Sequence, residues 1–122
     1  MVIDWDRLPQ ASGMRPGATR QAVAAERLSV VKVVTAPDAT FDGTLHRHIH
    51  EQLLVVLTGE VTLRIGDETV VARAHDVVFF PPGVLHSAIS VGCDGCVYLE
   101  IFSPPRIDQL PGYLGPSPLE YE

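Results

Sequence analysis

Positive charge is scarce in this sequence. Nine Lys and Arg stand against 15 Asp and Glu, for a formal net charge of −6. Nucleic acid and anionic membrane surfaces are held by clustered basic side chains, so neither is expected as a partner. A small anionic substrate stays open, because one inward arginine can hold a carboxylate. Long apolar runs are also missing: none approaches the roughly 20 residues that span a bilayer. The start, Met1-Val2-Ile3-Asp4-Trp5-Asp6-Arg7, has no basic region leading into an apolar stretch. No secretory signal is therefore expected, and a cytoplasmic protein is. Charged residues make up 20 % of the 122 and apolar ones 46 %, which suits one domain with one hydrophobic core rather than disorder.

Cysteine is limited to Cys93 and Cys96, in Gly92-Cys93-Asp94-Gly95-Cys96. A zinc site of this spacing needs a second Cys or His pair, and a thioredoxin-like pair opens a helix. This pair instead precedes a strand, so two thiols flanking a hairpin turn are expected.

What the chain does have is β-signal. Residues 28–34, rich in β-branched side chains, end at Pro37. Leu53–Leu57 is an apolar run closed by a Thr58-Gly59-Glu60 turn, and Val61–Ile65 alternates before Gly66-Asp67-Glu68 turns the chain into 69–72. Val77–Phe80 stops at Pro81-Pro82-Gly83, and Val97–Phe102 at Pro104-Pro105. Short strands separated by Gly and Pro turns predict an antiparallel barrel or sandwich. Residues 1–27, punctuated by Pro and Gly, read as an amino-terminal arm with a weakly helical stretch at 19–28. Residues 111–122 read as a tail that is loosely ordered or packs late.

His46, His48 and His50 fall within five residues. On a strand, i and i+2 share a face with Cα atoms ~6.5–7 Å apart, so two imidazoles can converge on one ion at ~2.0–2.1 Å. Residues 46 to 52 in one straight strand would span ~20 Å, too far for a common ion. If Gln52 joins His46 and His48, the chain must turn around Ile49-His50-Glu51, leaving His50 at the bend as an exposed turn residue.

His46-Arg47-His48, three residues, Gln52, six residues and Gly59 resemble the first motif of the cupin family, with Gln where Glu is commoner. Pro81-Pro82-Gly83-Val84-Leu85-His86 resembles the core of the second motif, Pro-x-Gly-x-x-His. The resemblance runs from about Leu28 to Asp108. It implies an all-β jelly-roll barrel at 28–110 with one divalent ion (Zn, Ni, Mn, Fe or Cu) on His46, His48, Gln52 and His86. Glu51 is the competing ligand if the register slips by one; the spacing to Gly59 favours Gln52. Thr40, His75 and Ser90 stand where the family usually has Gly, Gly and Asn. A neutral amide in place of a carboxylate would leave the site more cationic and more Lewis-acidic.

On the last strand Tyr98, Glu100 and Phe102 share one face, and Val97, Leu99 and Ile101 the other. Composition favours the aliphatic set inward. The segment Leu99–Asp108, however, resembles the closing segment of the pectin-degradation cupins that linearise unsaturated uronates, Leu-Asp-x-Phe-Ser-Pro-x-Arg-x-Asp, with Glu100 in place of Asp. That resemblance implies a pocket in which Glu100, with Tyr98, moves a proton, while Phe102 and Arg106 bind substrate and Arg106 grips a carboxylate bidentately. The expected function is metal-dependent isomerase, tautomerase, lyase or cyclase chemistry on a small oxygenated, carboxylated substrate. A metal-dependent dioxygenase and a non-catalytic sensing cupin are the alternatives. His75 reads as structural, and Trp5 as covering its own barrel or a neighbouring subunit. Exposed strand edges and the arm lead to an expected homodimer.

Overall fold

Two long strands carry the architecture. The computed structural model describes residues 1–122, with β1 (Ala11–Ser12), β2 (Ala18–Ala24), β3 (Ser29–Thr35), β4 (His46–Arg47), β5 (Glu51–Ile65), β6 (Glu68–Arg73), β7 (Val77–Phe80), β8 (His86–Ser103) and β9 (Glu120–Tyr121). Short 3-10 turns lie at Trp5–Arg7 and Ile107–Gln109. One nine-stranded antiparallel sheet results, in the order β1-β2-β3-β8-β4-β9, with β5 also on β8 and carrying β6 and β7. Irregularities in the β5–β8 register between Val56 and Thr58, Gly59 and Val61, and Thr62 and Leu63 bend the pair. The sheet therefore curls over itself as a jelly roll instead of lying flat. No helix is long and apolar enough to cross a membrane.

The bulges correct two expected turns. Thr58-Gly59-Glu60 does not reverse the chain; β5 passes through it, with Gly59 in the left-handed region at φ 79°. Opposite, Gly59 pairs with Cys96 and Val61 with Val91, so residues 92–95 bulge out within β8 where a hairpin was expected. Both thiols are free; Cys93 is exposed, while burial and the Glu60 charge push buried Cys96 up to about 11. Three backbones meet here without side chains between them. A Cβ on Gly59 would run into the Gly95 carbonyl, and one on Gly95 into that of Thr35.

The helical stretch expected at 19–28 is also corrected. Residues 18–24 form β2, which pairs with β3 in the register Ala22↔Val31 and buries Ala18 and Ala22. Seven ladder positions on a preformed neighbour outweigh a weak local helical preference. Trp5 is half-buried beside β3, with the Lys32 ammonium 5.8 Å from its ring centre. The tail closes as β9, which pairs Tyr121 with His46.

Inward side chains of β3, β5, β7 and β8, among them Val31, Leu54, Val56, Phe80 and Phe102, form the core. The alternate positions face outward in register. Phe79, Leu53, Ile101, Val30 and Val23 form one cross-strand row over five strands. Val77 and Phe79, at its β7 edge, are 59 % and 51 % exposed.

Candidate functional site

The histidines come together because two strand starts meet. His46 opens β4, His86 opens β8, and the two are direct partners in the ladder. Their ring centres lie 4.6 Å apart, and that of His48 is 5.0 Å from His86. The chain then bends at Ile49-His50, as expected, and β5 begins with Glu51 exposed and Gln52 2 % exposed. Burial thus separates the two competing residues: Gln52 faces the cluster and Glu51 faces solvent. The Gln52 Oε1 lies 3.2 Å from His48 Nε2, and its Nε2 donates to Glu100 Oε2 at 2.7 Å. Glu100 therefore fixes which end of the amide points at the imidazoles.

His86 Nδ1 donates to the Val84 carbonyl at 2.9 Å, which leaves Nε2 as the bare lone pair. Desolvation, with the His86 and Arg106 charges behind it, lowers His46 to about 4. Desolvation followed by Arg106 lowers His48 to about 3. His86 is lowered as well, mainly by burial. All three are neutral at pH 7, the protonation state that ligates metal. Imidazoles sharing one ion have centroids separated by about 4.5–5 Å, and two ligand atoms ~2.1 Å from an ion lie about 3 Å apart. The ring separations and the His48–Gln52 contact agree with both. No three His, Cys, Asp or Glu side chains by themselves complete a ligating geometry; beside the histidines the Gln52 amide oxygen is a further neutral oxygen, in contact with His48.

His50 is a correction. It sits at the bend but is 6 % exposed, with its ring centre 5.1 Å from His48 and 6.2 Å from Phe102. Its Nδ1 and that of His48 are buried without hydrogen-bond partners. The closing segment after β8 covers it: His50, Pro105, Ile107 and Asp108 border one cleft. Sequence spacing gave no sign of a cover that comes from 55 residues away.

A cavity opens in front of the cluster, bordered by His46, Gln52, His86, Tyr98, Glu100 and Arg106. The polar set of the last strand faces inward because Gln52, Leu54 and Val56 of β5, all buried, pair with Phe102, Glu100 and Tyr98. Burial raises the Glu100 carboxyl, partly offset by Arg106 and Arg15. Burial and the Glu100 charge raise Tyr98, so its hydroxyl stays protonated. Arg106 is 3 % exposed, and its backbone N–H donates to Ser29 Oγ at 2.9 Å. Its Nη2 and Nε donate to the Asp108 carboxylate at 2.7 and 3.3 Å, and its guanidinium carbon lies 4.9 Å from the Phe102 ring centre. Only the remaining Nη1 edge is unengaged, so Arg106 cannot offer its Nε–Nη2 fork to a substrate while Asp108 holds it. Sequence reasoning missed Arg15, which also borders the cavity. It lies in the loop between β1 and β2, two strands that were read as an arm.

The family model for the cupin domain matches residues 32–102, more than half of the chain. The chain belongs to the cupin family. Among solved structures, this cupin is similar to an RmlC-like cupin from Shewanella frigidimarina at 28 % identity, covering 84 % of this chain and 89 % of the other, with a TM-score of 0.70. It is also similar to KdgF from a Halomonas species, at 25 % identity over 81 % of this chain and 89 % of the other, with a TM-score of 0.71. The latter likeness supports, in part, the resemblance of the closing segment to the uronate-linearising cupins. The polyketide cyclase RemF from Streptomyces resistomycificus shares the fold, with a TM-score of 0.72 at 17 % identity over 97 % of this chain and 89 % of the other. No curated protein matches the sequence.

Proposed function

We propose that this cupin is a metal-dependent enzyme acting on a small oxygenated, carboxylated substrate by proton transfer, in the isomerase, tautomerase, lyase or cyclase class. The observation that carries the reading is the chain of contacts from His48 through the Gln52 amide to Glu100. It sets a proton-carrying side chain beside a cluster of neutral donors. His46, His48, Gln52 and His86 would hold one divalent ion. Bound there, the ion supplies Lewis acidity toward a substrate oxygen.

The chain's own residues do the rest. Glu100 accepts from Gln52 through Oε2 and keeps Oε1 for a substrate proton. Its burial favours the protonated form, so it can give as well as take a proton nearer neutrality than an exposed carboxylate. Tyr98, two residues earlier on the same face, offers a hydroxyl donor. Phe102, expected to touch substrate, is 1 % exposed and does not border the cavity; it packs against His48, with ring centres 5.6 Å apart, and carries the Arg106 plane. Arg106 Nη1 binds a substrate carboxylate.

The test joins metal and turnover. Protein purified without added metal is expected to hold about one divalent ion per chain, and His86→Ala to lose it. Glu100→Gln is expected to keep the metal and lose turnover on small carboxylated keto and enol substrates by about 10²-fold or more. O2 consumption during turnover would move the assignment to a dioxygenase. A protein that neither carries nor takes up metal would overturn the reading. The same proposal includes a homodimer, with the outer apolar rows of β7, β5 and β8 as its contact face.

A further inference from the structure

Three arginines border the cavity of a chain whose net charge is −6: Arg15, Arg20 and Arg106. They are not equivalent. Arg20 ties the fold together, with Nε donating to the Gln109 carbonyl at 2.9 Å and Nη1 to that of Ser12. Arg106 has its fork on Asp108. Arg15 makes one hydrogen bond, from Nη1 to the Ala88 carbonyl at 3.2 Å, and its guanidinium carbon stacks 4.4 Å from the Phe41 ring centre. The ion pairs of the molecule involve Arg7, Arg47, Arg64, Arg73 and Arg106, and none involves Arg15. A half-buried arginine lining a cavity, oriented by stacking and feeling the Asp42 and Glu100 charges without a direct ion pair to either, has most of its donors free.

The loop that carries Arg15 is built to hold it there. The Gly13 N–H donates to Ala18 O (2.8 Å), Ala18 N–H to Arg15 O (3.2 Å), Ala36 N–H to Gly17 O (2.9 Å) and Thr40 N–H to Pro16 O (3.1 Å). Gly17 takes φ 89° against the Ala39 backbone, where a side chain would not fit. The two guanidinium groups reach the cavity from different elements, Arg15 from the loop before β2 and Arg106 from the segment after β8. Arg106 sits on Phe102, toward the His48–His50 side. Arg15 reaches Ala88 and also borders a neighbouring cleft with Asp42, Thr44, His46, Ser87 and Tyr121. The acidic side chains nearby are Glu100, which faces Gln52, and Asp42, whose carboxylate caps the Thr44 N–H at 2.9 Å.

We propose that Arg15 is a second anion anchor and that the substrate is a small dicarboxylate, held at one end by Arg106 and at the other by Arg15. This rests on the reading of Arg106 as a carboxylate anchor and adds the second charge and its position.

The test is titration calorimetry on the protein as purified, with acetate and propionate set against succinate and glutarate. The dicarboxylates are expected to bind at least about tenfold more tightly than the monocarboxylates. Arg15→Gln keeps a donor for Ala88 and the aliphatic stem but removes the charge, and is expected to abolish that gap. Arg15→Lys, which loses the planar fork but keeps the charge, is expected to shrink it and serves if the Gln variant does not fold. A dicarboxylate preference that survives in Arg15→Gln, as chelation at an ion would give, overturns the inference. Equal binding of both classes by the wild type overturns it too, while leaving Arg106 as an anchor. Failure of every carboxylate to bind overturns both.

Discussion

His75 has a left-handed backbone, φ 76°, the only residue other than glycine with a positive φ. Its N–H donates to the Val56 carbonyl at 2.9 Å and its side chain is exposed, so the position demands a conformation and little else. His75→Gly relieves the Cβ strain and is expected to stabilise the protein by about 0.5–1 kcal/mol, read as a rise in Tm. An unchanged or lowered Tm would show that the histidine ring contributes more than its strain costs. The buried imidazoles behave in the opposite way. Each binds fewer protons folded than unfolded, because burial lowers it below 6.5, to about 4 for His46 and about 3 for His48, with His50 and His86 lowered as well. Their contribution to stability is whole above about pH 6.5 and is lost as pH falls toward those lower values. Glu100, raised by burial, pulls the other way, one group against four. The metal-free protein is therefore expected to lose Tm steadily between pH 7 and 4.5, and a flat profile would contradict the burial of the cluster.

Among the elements, β5 and β8 show what local reading catches and what it passes over. Alternation correctly marked Val61–Ile65, and β-branched density marked β3. The glycines at 59 and 95 looked like turn residues because a positive φ serves a turn and a bulge equally well. Only the partner strand distinguishes them. Gly59→Ala must put a Cβ into the Gly95 carbonyl at an unfavourable φ. It is expected to cost about 2–4 kcal/mol, measured by urea unfolding. A loss below ~1 kcal/mol would mean that the two long strands can slide apart at the bulge. The closing segment after β8 is an element of the same kind. Its Arg106 was legible from the resemblance, but its engagement with Asp108 was not, since that depends on a turn formed at Ile107–Gln109.

For the whole molecule, the curled sheet has one apolar lining too many. The inner face is filled, while the outer row runs from exposed Phe79, at the unpaired β7 edge, and exposed Leu53 to half-buried Ile101 and Val30. A second copy packed on it in two-fold fashion would meet the same rows. Sedimentation is expected to show a dimer, and Phe79→Glu to shift it toward monomer with the fold intact by circular dichroism. A wild-type monomer at tens of micromolar would rule this face out as a stable self-contact.

Short strands between Gly and Pro turns marked the β fold, and the resemblance of His46, His48, Gln52, Gly59 and His86 to the cupin motifs singled out the candidate donors, because strand periodicity and motif spacing are local properties of the chain. Which of two neighbours, Glu51 or Gln52, faces inward needed the ladder partner Phe102, and the inward face of Glu100 needed Leu54. Arg15 reached the cavity only because the supposed arm joined the sheet as β1 and β2. These contacts join residues far apart in sequence. Long-range pairing fixes them, and it is set by burial and register over the whole sheet rather than by any stretch read alone.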